Sequence, residues 1–569
     1  MVARKKISHR LQAAFRILLL FGIIALANFI ASKYYKRFDL TVEKRYTLSD
    51  ATKDLLRNLD DQVFVRVYLE GKAFPAGFKR LRNATEEMLY EFGNASNGKV
   101  NFIFIDPTLG DKEQKEALQK ELYEKGLTPT NLRVQNDEGA SSQIIFPGLM
   151  MHYREKEVAL QLLENQVGLG PNEALNNSVE LLEYKIANSI KKITQRQSPR
   201  IAFAQSEGEL DKMFLNDIAR TLQDYQYDLR LISISDELVL ANKYDILVIA
   251  KPTQPFREID KFKIDQYIMN GGSVLWLIDP VNMSMDSLLG KELYMTNSFD
   301  LNLEDMLFKY GARVNTTLVQ DLQCNGIPLV VGAGNPPQTE FFPWYFYPII
   351  TSNNSHAIVK NLDAVMGQFV STIDTVKAPG VKKTVLLSSS KYSKALQSPM
   401  RIHFGMVKDK PDVKNFTQSN LPLAVLLEGK FNSVFTNRLA ANTLQVYKDS
   451  FGIDFKDTSV FAKQIVIGDG DMIKNQVSSK GSVYPLGYYP YTEQTFANKD
   501  LLLNCIEYLS DDAQLIETRN KEIKLRLLDS PRIKQEATKW QAVNMGAPVL
   551  FIAVFGVIYN LIRRRRFAR

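Results

Sequence analysis

Residues 244–280, YDILVIAKPTQPFREIDKFKIDQYIMNGGSVLWLIDP, decide how the fold is read. ILVIA and SVLWLI are short, continuous apolar runs rich in β-branched residues, which suits strands buried on both faces. The segment between them alternates charged and apolar residues through Phe262 at helical spacing, and the second run ends on the turn Asp279-Pro280. A strand, a helix and a second strand in one stretch predict a parallel pair joined by a crossover.

Working outward, the same alternation continues. Towards the N-terminus lie the strand IAFA (201–204), a helix carrying Phe214, Ile218 and Leu222, and the strand LRLISI (229–234). Towards the C-terminus, PLAVLLEGKF (422–431) and KQIVIGDGDMI (463–473) read as strands, and FANKDLLLNCIEYLSDD (496–512) as a helix with Leu501, Leu502, Cys505, Ile506 and Leu509 on its apolar side. This pattern predicts a doubly wound, flavodoxin- or amidotransferase-like α/β domain over residues 199–510.

Sheets of this type bind ligands beyond the carboxyl ends of their strands, so Ser206, Glu207, Lys251 and Asp279 are candidate ligand residues. The alternative is that they are ordinary loop residues bounding strands. Asp469 and Asp471 in the GDGD stretch place two carboxylates one residue apart, which suits a hard cation, but the further ligand positions of a calcium loop are missing. A turn is the preferred reading there, and no metal is assigned. Trp344 lies in EFFPWYFYP (340–348), six aromatics in nine residues, which reads as core, partner surface or lipid-facing segment.

A second domain precedes this one, over residues 40–197. Ser49 is a plausible N-cap for the helix bearing Leu55, Leu56 and Leu59, and QVFVRVYLEG (62–71) alternates Val63, Val65, Val67 and Leu69 to one face. A helix with Leu81, Met88, Leu89 and Phe92 leads to the strand KVNFIFID (99–106). Then come the helix EQKEALQKELYEKG, closing on Gly126, and a hairpin within 144–163. The β-α-β-α-β-β order is compatible with a thioredoxin-like domain without redox cysteines. A long helix through Leu175, Val179, Leu182, Ile186, Ile190 and Ile193 stops before Pro199 and sets the boundary.

The ends of the chain are of a different kind. Residues 540–562, WQAVNMGAPVLFIAVFGVIYNLI, hold no charge across 23 positions, enough for a helix to cross the roughly 30 Å hydrocarbon core. Arg563, Arg564, Arg565 and Arg566 follow at once, the flank expected on the cytoplasmic side. At the other end, Arg4, Lys5 and Lys6 lead into a first apolar helix over 11–32, read as an uncleaved anchor. The expected order is a basic tail (1–10), helix, external domains, a juxtamembrane linker (511–539), helix and an arginine-rich tail (563–569), with both termini cytoplasmic. The chain has 71 basic and 63 acidic residues, and the terminal segments supply the whole excess. The middle is near neutral, which removes nucleic acid as a partner class.

Catalytic signatures are missing. There is no G-x-x-x-x-G-K-[ST] and no G-x-S-x-G, the histidines at 9, 152, 356 and 403 lack ligand spacing, and Cys324 and Cys505 form no C-x-x-C. The expectation is a protein without enzymatic activity and without a cofactor.

Several stretches taken together resemble a known family. RFDLTVEKRYTLSDATKDLL, NEALNNSVELLEYKIANSIKKI, YDILVIAKPTQPF with GGSVLWLIDPVNMSMDSL, PLAVLLEGKFNSVF and VIGDGDMI, bracketed by two apolar helices, resemble GldG, the gliding-motility-associated ABC transporter auxiliary components of Bacteroidetes. The resemblance covers nearly the whole chain in the same order. It implies an inner-membrane component working beside a GldA-like ATPase and a GldF-like permease, with its main domain periplasmic, and it implies no catalytic residues. The competing expectation is an anchored periplasmic module that binds glycan or peptide.

Overall fold

The computed structural model describes residues 9–33, 47–71, 74–136, 139–163, 170–195, 197–331, 338–352, 354–407, 411–452, 454–478, 480–510, 515–520 and 530–567. Arg4, Lys5, Lys6 and the first part of the RFDLTVEKRYTLSD stretch lie outside the described residues.

Helix α1 (His9–Lys33) contains the apolar stretch Phe15–Leu26. Helix α2 (Asp50–Arg57) starts as expected, with Ser49 Oγ accepting the Thr52 amide at 3.1 Å. A four-stranded sheet follows from β1 (Val63–Val67), β2 (Val100–Phe104), β5 (Gly148–Tyr153) and β6 (Lys156–Gln161), ordered β2-β1-β5-β6. β1 and β2 are parallel, and the other pairings are antiparallel. Helices α3 (Ala76–Ala95) and α5 (Pro171–Thr194) bury Leu81, Leu89, Phe92, Leu182, Ile186 and Ile190 against Val63, Val65 and Val67. The opposite face takes α4 (Lys112–Glu124), whose Leu122 packs with Tyr68, Phe146 and Met150. Between α4 and β5 the chain forms a hairpin of β3 (Thr130–Asn136) and β4 (Gly139–Ile145), which sequence reading missed because its residues are polar and lack alternation.

The second sheet contains β7 (Arg200–Ala204), β8 (Asp228–Ile232), β9 (Ile246–Ala250) and β10 (Ser273–Leu277), with helices α6 (Asn216–Asp224) and α7 (Glu258–Met269) in the connections. Every residue of β9 and β10 is buried, as their unbroken apolar runs require. After β10 the chain departs through α8 (Glu304–Tyr310), the hairpin β11 (Cys324–Val331) and β12 (Gln338–Ile350), and β13 (Val381–Ser388). It re-enters the sheet with β14 (Pro422–Gly429), passes α9 (Ala441–Phe451) and completes it with β15 (Ala462–Ile467) and α10 (Asn498–Ser510). The order is β13-β14-β15-β10-β9-β7-β8, with β15, β10, β9, β7 and β8 mutually parallel and β14 and β13 antiparallel additions.

Helices cover both faces. Phe203, Val248, Leu275 and Ile465 meet Ile218, Leu222, Leu502 and Ile506 from α6 and α10. Leu247, Ile249, Trp276 and Val466 meet Phe262, Tyr267, Met306 and Tyr310 from α7 and α8.

The C-terminal unit, residues 522–569, contains α11 (Ser530–Phe567), longer than the expected 540–562. Its span from Gln535 to Arg566 is long and apolar enough to cross a membrane, and every side chain from Trp540 to Ile562 is exposed. A 3-10 turn occupies Leu515–Asn520 and the long helix already starts at Ser530, whereas 511–514 and 521–529 lie outside the described residues.

Candidate functional site

Four parallel strands deliver their next residues to one edge of the sheet. β7 runs out into Gln205-Ser206-Glu207, β9 into Lys251, β10 into Ile278-Asp279, and β15 into Gly468-Asp469-Gly470-Asp471. Strand register continues past the ends, since the Lys251 amide donates to Leu277 O at 2.8 Å and the Ile278 amide to Ile467 O at 2.9 Å. Lys251 then turns at φ +58°, in the left-handed region that side chains other than glycine rarely occupy, and its ammonium swings across the neighbouring strand ends.

Lys251 Nζ lies 3.1 Å from Asp279 Oδ2 and 2.5 Å from Asp471 Oδ2. The other Asp279 oxygen accepts the Gly470 amide at 2.5 Å. Asp469 uses both oxygens on backbone, accepting the amides of Asp471 and Gln368 at 2.8 Å each. Lys474 Nζ stands 3.7 Å from Asp471. Four of the sequence-predicted residues, Lys251, Asp279, Asp469 and Asp471, thus form one cluster.

Its electrostatics follow from burial. Asp279, Asp469 and Asp471 are 4%, 0% and 5% exposed. Burial opposes the Lys251 charge, yet the attraction of Asp279 and Asp471 outweighs it and raises the lysine pKa. Burial raises Asp279, against the pull of Lys251. Burial first, then repulsion from Asp279 and Asp471, pushes Asp469 well above the usual carboxylate range.

The two glycines of GDGD permit this approach. A Cβ on Gly468 would stand 2.3 Å from the Ser371 carbonyl oxygen, and one on Gly470 would stand 2.7 Å from Lys251 Cβ and Cγ. The motif is a close-packed turn in which Asp469 caps the 3-10 turn Gly470–Ile473. Among the described residues no group of three or more His, Cys, Asp or Glu could hold a metal ion. Gly468→Ala should cost about 1–3 kcal/mol by overpacking against rigid backbone. A urea midpoint equal to that of the parent would contradict this account of the turn.

Ser206 and Glu207 belong to a different group. Ser206 Oγ donates to the Glu207 carboxylate and accepts the Ile234 amide at 3.2 Å. The Glu207 amide donates to Glu209 Oε2 at 2.7 Å, and the Glu207 carbonyl accepts the amides of Thr253 and Gln254, both at 2.9 Å. Burial raises the Glu207 pKa to about 7, with Ser206 opposing and Glu209 and Asp260 adding repulsion. Sequence reading missed Glu209; the signal was the Glu-Gly-Glu spacing about Gly208, which turns at φ +73°. β7 and β9 connect to opposite sides of the sheet, so this carboxyl group and Lys251 flank the point where the strand order reverses.

A raised native pKa means that Glu207 favours folding below about pH 4.5, its ordinary value, and that this contribution is lost as pH rises through about 7. Glu207→Gln should flatten the stability–pH curve between those values. An unchanged slope in melts at stepped pH would refute the assignment.

Of the three readings open for its stretch, Trp344 takes the core one. It is 1% exposed, with ring centroids of Phe346, Phe404 and Phe369 at 5.5, 5.9 and 6.4 Å. In strand β12 the side chains of Trp344 and Phe346 point into an aromatic core, while Phe341 and Pro343 stay exposed. Trp344 therefore offers no surface to a ligand or partner. Arg563 to Arg566 end α11 with exposed side chains, and both cysteines are free thiols.

The fold and the sheet-edge cluster define a mixed α/β protein with a C-terminal helix suited to a membrane. Residues 198–505 match the family ABC_transp_aux, described as an "ABC-type uncharacterized transport system". The match covers more than half of the chain, which belongs to this family and is an auxiliary component of an ABC transport system. Residues 42–152 match a domain of unknown function, DUF7088. A protein of Borreliella burgdorferi with the printed name "Uncharacterized protein" is 22% identical over 424 residues, covering 72% of this chain and 75% of that protein. Among solved structures, the mmIFT52 N-terminal domain aligns with TM-score 0.31 and 14% identity over 55% of this chain and 98% of its own. An exo-beta-1,4-mannosidase, Op5Man5 from Opitutaceae bacterium strain TAV5, aligns with TM-score 0.21 and 9% identity over 76% of this chain and 51% of its own. Similarities of that size define no shared fold.

Proposed function

We propose that this protein is a non-catalytic, membrane-anchored component that works beside separate ATPase and permease subunits, with its α/β region periplasmic and both termini cytoplasmic. The observation that carries the reading is α11, an apolar helix exposed from Trp540 to Ile562 and ended by Arg563–Arg566. An exposed apolar surface of that length is unfavourable in water and suits a bilayer. The resemblance to GldG supports a gliding-motility transporter of Bacteroidetes as the setting, with GldA-like and GldF-like partners.

Residues 40–197 and 199–510 are the two external domains in this reading. The order β2-β1-β5-β6 supports a thioredoxin-like first domain, and the parallel order β8-β7-β9-β10-β15, which is 2-1-3-4-5 in chain sequence, supports a flavodoxin-like second one. Burial of the Lys251 cluster weighs against the glycan- or peptide-binding alternative, because the Lys251 ammonium and the Asp279 and Asp469 carboxylates are held by one another or by backbone amides, and Asp471 Oδ1, which has no hydrogen-bond partner among the described residues, is buried with them.

Affinity purification of the full-length protein from native membranes in mild detergent tests the reading. An ATPase and a permease in fixed ratio are expected, and recovery of the chain without either would overturn it. A reporter fused after Arg569 should be active only if it functions in the cytoplasm. Activity of a periplasm-specific reporter would invert the topology.

A further inference from the structure

Helix α5 has two working faces. Leu182, Ile186, Ile190 and Ile193 fill the core of the first sheet, whereas Tyr184, Asn188 and Lys192, spaced one turn apart, meet α10 of the second. All three converge on one buried carboxylate. Glu507 accepts the Tyr184 hydroxyl on Oε2, and on Oε1 the Asn188 amide at 2.9 Å and the Lys192 ammonium at 2.5 Å. Lys192 also sits 3.9 Å above the Tyr225 ring. With three donors acting on it, the Glu507 carboxylate stays below its usual pKa despite burial.

The 3-10 turn Leu515–Asn520 joins the same junction. Leu515 is buried in the core of the first sheet, while Arg519 donates to Asn504 Oδ1 of α10 and, at 3.3 Å, to the Lys360 carbonyl. Its guanidinium lies 5.3 Å from the centre of the Tyr184 ring. This turn touches both halves, and it is the last described element before α11.

We propose that Glu507 is a latch between the two halves of the external region and that Leu515–Asn520 is its strap, coupling the chain that leads to α11 to the opening of the junction. The coupling rests on the membrane-component reading; the latch does not. Buried polar contacts suit a latch because the separated groups regain water, so opening costs less than parting an apolar core of equal area. A small cavity of about 20 Å³ beside Lys192, Tyr225 and Glu507 has room for a water molecule next to the contact to be broken.

The test uses the full-length chain in nanodiscs, with spin labels at Lys120→Cys in α4 and Lys382→Cys in β13, both highly exposed, in a Cys324→Ser background. Pulsed dipolar spectroscopy should give one narrow distance distribution for the parent. Glu507→Ala should add a population several ångströms longer, and Arg519→Ala combined with Leu515→Ala should add the same one. Should Glu507→Ala fail to fold, Tyr184→Phe with Asn188→Ala keeps the Lys192–Glu507 pair and should broaden the distribution. Unchanged distributions in the folded variants would overturn the latch. Broadening with Glu507→Ala but not with the strap variant would overturn the coupling. Failure to co-purify with a permease would remove the membrane-component reading while leaving the distance result intact.

Discussion

Replacing Lys251 with methionine is expected to destabilise the protein by about 3–5 kcal/mol, the usual consequence of removing one partner from a buried ion pair. Methionine keeps most of the aliphatic stem, so the loss isolates the charge. Asp279 and Asp471, 4% and 5% exposed, would face each other and Asp469 without the ammonium that lies 3.1 and 2.5 Å away. The measurement is urea unfolding of the full-length protein in detergent, followed by tryptophan fluorescence, because Trp276 is buried in the same sheet. Adding Asp279→Asn and Asp471→Asn to Lys251→Met should recover much of the loss by removing the stranded charges. If Lys251→Met lies within about 1 kcal/mol of the parent, or if the triple variant is worse than the single one, the cluster is not the strut described.

The second large effect belongs to Trp344. Truncating this side chain to alanine should cost about 3–5 kcal/mol, through lost transfer energy and the cavity left among Phe346, Phe369 and Phe404. Trp344→Phe should cost less, because it keeps an aromatic body and removes an indole N–H that has no hydrogen-bond partner among the described residues. Thermal melts of both variants, with co-purification as a second readout, separate core from interface. A Trp344→Ala protein that melts like the parent but loses its partners would restore the surface reading that its burial rules out.

Glu507 lies outside the sheet-edge cluster and completes the polar architecture. The carboxylates near Lys251 hold the strand ends to the loops that follow β12 and β15, through Gln368 and Gly470, whereas Glu507 holds α10 to α5. One group closes the edge where such sheets usually bind ligands, and the other joins the two halves.

Much of this was legible in the sequence wherever a signal is local. ILVIA and SVLWLI read as doubly buried strands because continuous apolar runs tolerate no exposed face, and Ser49 and Gly126 marked helix ends through capping chemistry. Residues 540–562 read as a long apolar helix because length and lack of charge are properties of the segment alone. Where alternation failed, so did the reading. The polar hairpin β3–β4 and the turn at Leu515–Asn520 carry no periodic pattern, and Trp344 sits in a run so uniformly aromatic that inward and outward positions look alike.

The sequence by itself determined the α/β class, the apolar C-terminal helix with its arginine flank, and the residues standing at strand ends. Only the tertiary structure decided which of those residues meet. Lys251 and Asp471 are 220 positions apart and become neighbours because β15 pairs with β10 across the long excursion between them. Tyr184 and Glu507, separated by 323 positions, meet because α5 and α10 pack side by side. The physical reason is common to both. Backbone propensity and hydrophobic period act over a few residues, whereas the partner of a buried charge is set by sheet register and helix packing, which sequence neighbours do not encode.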